Sequence, residues 1–75
     1  MNKQRRKSLE DIHARLMDIQ EELAAIRDEE QEAYDNIPDS LKEAEKASAM
    51  SDAIYTMEEA DSSIESAMDS INELL

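Results

Sequence analysis

The segment LEDIHARLMDIQEELAAI, residues 9–26, sets Leu9, Ile12, Leu16, Ile19, Leu23 and Ile26 alternately three and four residues apart. That spacing is a heptad seam, which keeps one edge of an α-helix apolar turn after turn. With Leu9 at position a, Leu16 and Leu23 are also a, and Ile12, Ile19 and Ile26 are d. Leucine at a with isoleucine at d packs poorly in a two-stranded parallel coil and favours assemblies of more helices. The chain has no glycine and one proline, so little in it opposes helix. Ser8 is suited to cap the helix, with Asp11 three residues on. The first helix is expected from about residue 8 to about residue 35.

A second seam runs through Met50, Ala53, Met57, Ala60, Ile64, Ala67, Ile71 and Leu74. Its repeats read AIYTMEE, ADSSIES and AMDSINE. Three consecutive d positions are alanine, and the flanking g positions are small, so another helix can approach closely. Ile54, Met68 and Leu75 widen the stripe at position e, as expected of a helix that touches two neighbours.

Between the seams, DNIPDSLKE carries the proline. Pro38 cannot continue a helix from upstream and disfavours helix at Ile37. Asn36 can take a left-handed cap conformation. Ser40 with Glu43 reads as a capping box, with Asp39 as a rival cap. The turn is placed at about 36–40 and the second helix at about 41–74. The expected fold is all-α: an antiparallel, coiled-coil-like helical hairpin over residues 8–75, behind a basic tail at 1–7. Two helices leave much of both stripes uncovered, so pairing of hairpins into a four-helix bundle is the simplest completion.

Cysteine is absent, which excludes disulfides and thiolate metal sites and fits a cytoplasmic setting. No stretch is long enough to span a membrane, and no apolar run follows the basic start as a signal peptide needs. Lys3, Arg5, Arg6 and Lys7 supply half of the eight basic residues, whereas all 20 acids lie beyond them. In the hairpin the tail is expected beside the end of helix 2, offsetting Glu65, Asp69 and Glu73 there. The acidic body argues against direct DNA binding and against anionic membranes, and for a basic protein surface as partner.

No nucleophile with a base, phosphate loop or metal-ligand set is present, so the reading is non-enzymatic with no cofactor. Glu10 and His13 have the Glu-x-x-His spacing of di-iron bundles, but fall at b and e, off the inward seam. The acids Asp28, Glu29, Glu30, Glu32 and Asp35 cluster before the turn, where a cation or a partner could dock. Glu30 falls at a seam position, so it is expected at an open bundle end or against Lys42 or Lys46. Tyr34 is expected to pack over Pro38 and Leu41. Candidate partner contacts are Tyr34, Asp35, Asn36 and Pro38 at the turn, and Tyr55, Glu58, Glu59 and Asp61 on the second helix. The methionines are read as adaptable core filler.

With RRK ahead of a leucine and isoleucine helix, then DEEQEAYDNIPDSL at 28–41 and an acidic heptad helix, the chain resembles a group of short helical proteins of phages, prophages and Gram-positive bacteria. That resemblance implies a phage or mobile-element origin and residence in a bacterial host cytoplasm. It implies no activity. The expected function is a self-associating interaction protein for a host macromolecule, as a defence inhibitor or nucleic-acid mimic. A sequestering oligomer for a signalling nucleotide and a structural part of a phage particle are the alternatives.

Overall fold

The computed structural model describes residues 1–75. Helix α1 spans Lys3–Asp35, a single 3-10 turn spans Asp39–Leu41, and helix α2 spans Glu45–Asn72. The two helices pack side by side as an antiparallel hairpin, with 59 Å along the long axis and 15 and 12 Å across. Its radius of gyration is 17.2 Å, against about 11 Å for a compact chain of this length. A rod of this shape buries little: only Ala47, Ile54 and Met68 are withdrawn from solvent.

Helix α1 starts five residues before Ser8. Asn2 takes the cap, its Oδ1 accepting from the Arg5 N–H at 2.8 Å. Ser8 sits inside the helix and donates to the Gln4 carbonyl at 3.2 Å. The basic residues therefore belong to α1 rather than to a separate tail. At the other end Asn36 is right-handed, with φ −81°, and no residue of the chain has positive φ. The expected left-handed cap is absent because Pro38 already stops the helix and the 3-10 turn carries the reversal. Helix α2 begins at Glu45, four residues later than expected. Ser40 is taken up in the 3-10 turn, and Ala44 occupies the cap position with no side chain to offer.

Gln20 Nε2 donates to Glu65 Oε2 at 2.7 Å, and Arg27 lies 3.6 Å from Glu58. Seven residues forward on α1 match seven back on α2, which fixes the antiparallel register. Carried to the open end, that register sets Glu10 abreast of Leu75. The first two turns of α1 then project past the end of α2, and residues 1–8 are all exposed. No ion pair joins Lys3, Arg5, Arg6 or Lys7 to Glu65, Asp69 or Glu73. The expected neutralisation of the α2 end fails because the basic turns overshoot it.

Each helix meets the other along its a and e rows. Along these rows the half-buried positions of α1 run Leu9, His13, Leu16, Gln20, Leu23, Arg27, Glu30 and Tyr34, with Ile37 half-buried just beyond its end. On α2 the buried Ala47, Ile54 and Met68 alternate with half-buried Met50, Met57, Asp61, Ile64 and Ile71, with Ala53 partly covered beside them. The size of the α2 side chains accounts for this rotation. Ile54 and Met68 at e offer far more area than Ala60 and Ala67 at d, so α2 turns its larger edge inward. The d rows are left outside. Ile12, Ile19 and Ile26 are 37, 47 and 56% exposed, and Ala60, Ala67 and Leu74 are exposed as well.

Candidate functional site

In an antiparallel pair an approximate two-fold axis relates the helices, so equal heptad positions fall on the same side. The row Ile12, Ile19, Ile26 and the row Ala53, Ala60, Ala67, Leu74 therefore share one broad face. It combines a ridge of isoleucine with a shallow trough over alanine. The opposite side is polar, where the Gln20–Glu65 and Arg27–Glu58 pairs close over the seam. The seam residues named from the sequence thus divide, the a rows lying between the helices and the d rows, apart from the partly covered Ala53, facing away.

At the turn the same face deepens into an open hollow of about 450 Å³. Ala33, Ile37, Pro38, Leu41, Ala47 and Met50 form its apolar walls, with Asn36, Ala44 and Lys46 around them. Local chemistry builds it. Pro38 is extended, with φ −57° and ψ 142°, and throws the chain away from the α1 axis. The Leu41 N–H then donates to the Pro38 carbonyl at 2.8 Å, and the Lys42 N–H to the Asp39 carbonyl at 3.2 Å. That tight turn holds Leu41 out at 55% exposure, an apolar side chain with no cover inside the hairpin.

Tyr34 does not line this hollow, although Pro38 and Leu41 do. The Lys42 ammonium lies 5.1 Å from the Tyr34 ring centroid and 3.6 Å from Asp39 Oδ1. A cation over a ring face is attracted by the ring quadrupole, so Lys42 ties α1 to the turn. Glu30 is half-buried and pairs with neither Lys42, which is engaged by Asp39, nor Lys46. Asp35 accepts from Gln31 Nε2 at 2.9 Å and stays exposed.

The candidate contacts on α2 separate in the same way. Tyr55 is 63% exposed and Glu59 is exposed, both pointing away from α1. Glu58 is drawn to Arg27, and Asp61 lies half-buried against α1 beside a recess lined by Leu23, Ala24 and Met57. Asp61 is therefore part of the hairpin contact rather than an outward surface. His13 is half-buried at the open end while Glu10 is exposed. No group of three His, Cys, Asp or Glu side chains stands close enough to hold a metal ion. A shallow concavity runs along the projecting turns past Lys3, Lys7, Ser8, Asp11 and Arg15, with one helix as its only wall.

Neither helix is long and apolar enough to cross a membrane. No protein-family model, curated protein or solved structure matches the chain.

Sequence reasoning found both apolar rows but not the hollow, nor the split of the seam between inside and outside. The available signal was the size contrast on α2, where the e residues Ile54 and Met68 outweigh the d alanines.

Proposed function

We infer that the chain is a non-enzymatic interaction protein whose copies associate through the isoleucine and alanine face, leaving the acidic exterior to engage a basic macromolecular surface. The observation that carries this reading is the exposure of Ile12, Ile19 and Ile26 on the same side as Ala60, Ala67 and Leu74. Scattered apolar residues on a surface are ordinary, but a heptad-spaced row beside a second apolar row marks an interface. Only three residues are buried within one hairpin, so a second copy supplies the missing core.

The acidic half of the reading rests on charge. Of 20 acids, only Asp11, Asp28, Asp39 and Glu58 are in ion pairs. Of the rest, all but the half-buried Glu30 and Asp61 are exposed along the two antiparallel helices as a dense negative surface, which includes Glu59 beside Tyr55 on the outer side of α2. Such a field attracts a basic patch and speeds encounter with it. The resemblance of the turn segment supports a phage or mobile-element setting and the host cytoplasm as compartment, and the acidic charge supports as target a basic host surface of the kind that normally holds nucleic acid. Affinity capture from a bacterial lysate at low salt, followed by titration of the captured protein against salt, tests this. Binding that weakens steeply between low and physiological salt is the expected outcome, and an affinity indifferent to salt would rule out the mimic.

A further inference from the structure

Resting on the self-association just proposed, we propose that the second copy binds antiparallel, with turns at opposite ends, so that the projecting basic turns of each copy lie over the hollow at the other's turn. Four observations converge on this arrangement. Arg5, Ile12, Ile19, Ile26 and Ala33 form one row at seven-residue spacing along α1. A two-fold axis through Ile19 sets Ile12 on Ile26 of the second copy and Arg5 on its Ala33, which lies on the wall of the hollow. The hairpin register puts Ala67 within a residue of the level of Ile19, so the same axis sets Ala67 on Ala67 and Leu74 on Ala60. One operation therefore covers both exposed rows.

Shape and charge complete the case. The first two turns of α1 have nothing on α2 to face, and the hollow has nothing in its own hairpin to fill it. Pairing them removes both deficits. The projecting turns carry Lys3, Arg5, Arg6 and Lys7, while the last turns of α1 at the other end of the rod carry Asp28, Glu29, Glu30, Glu32 and Asp35; Lys46 is the one charged residue that lines the hollow itself. Opposite charges meet only if the copies run in opposite directions. With both turns at one end, the acidic clusters would crowd together and so would the basic turns. On the flank of the shared face the antiparallel arrangement brings Arg15 beside Glu22 of the second copy. Within one chain these two are two helical turns apart.

The arrangement is tested with Ser40→Cys, an exposed turn position in a cysteine-free chain, carrying a spin label. Pulsed electron spin resonance on the full chain is expected to give a separation of roughly 50 to 60 Å, from the helical rise between the turns and the axis. A separation within about 25 Å, as turns sharing one end require, would overturn the antiparallel arrangement while leaving self-association intact. A monomer throughout would overturn both. Arg15→Glu is expected to weaken association on the order of tenfold, since the contact occurs twice. The double variant Arg15→Glu with Glu22→Arg restores it. Failure of that rescue, with helix content unchanged by circular dichroism, would overturn the axis at Ile19.

Discussion

Ile54 and Ile19 are the same residue type on helices of the same hairpin, and the structure gives them opposite work. Ile54 is 7% exposed between the helices, whereas Ile19 is 47% exposed on the outer face. Truncating Ile54 to alanine leaves a cavity that a thin rod has few neighbours to fill. Ile54→Ala is expected to cost about 2 to 4 kcal/mol of hairpin stability, read by thermal or urea unfolding. Ile19→Ala removes little from within one copy. Its effect is expected on association, as a weaker self-affinity at unchanged helix content, read by sedimentation against concentration. If both substitutions lowered stability equally at every concentration, the division of the seam into inner and outer rows would be wrong.

At the scale of the helix, the two starts differ in quality. Asn2 caps α1 with a side-chain oxygen, while Ala44 has the extended backbone of a cap and nothing to donate or accept. Ala44→Asp is therefore expected to stabilise the fold by about 1 kcal/mol. In a domain of this size that raises Tm by about 4 to 8 °C. An unchanged Tm would mean that α2 is already held by the turn before it. The same contrast shows why helix existence was legible and helix ends were not. Heptad spacing repeats over many residues, and tertiary packing can rotate it but not erase it. A cap is one residue choosing among neighbours, and Asn2 won over Ser8 because the basic turns are themselves good helix formers. Likewise the a and d rows were both readable. Which of them faces the other helix was decided by Ile54 and Met68, whose bulk beats the alanines only once the two helices are set side by side. The hollow could not be read at all, since it depends on how far the 3-10 turn throws Leu41 outward.

As a whole molecule the hairpin is a narrow acidic rod with one apolar side and a basic end. Charge and burial act on different processes here. On the proposed reading, the acidic exterior would govern partner encounter and be screened by salt, while the isoleucine and alanine face would govern assembly mainly through apolar contact, which salt weakens far less. Raising salt is therefore expected to release a basic partner before it separates the copies, as read by size-exclusion chromatography of a captured complex. Loss of both together would mean that charge alone holds the assembly. The most direct test of the account is sedimentation equilibrium of the chain beside Ile19→Asp, each near ten micromolar, a concentration at which an interface of ordinary affinity is about fully occupied. Particles holding two or more copies of the 8.5 kDa chain, falling to a single copy in the variant, are the expected result; a fully helical single copy of the unaltered chain would contradict it.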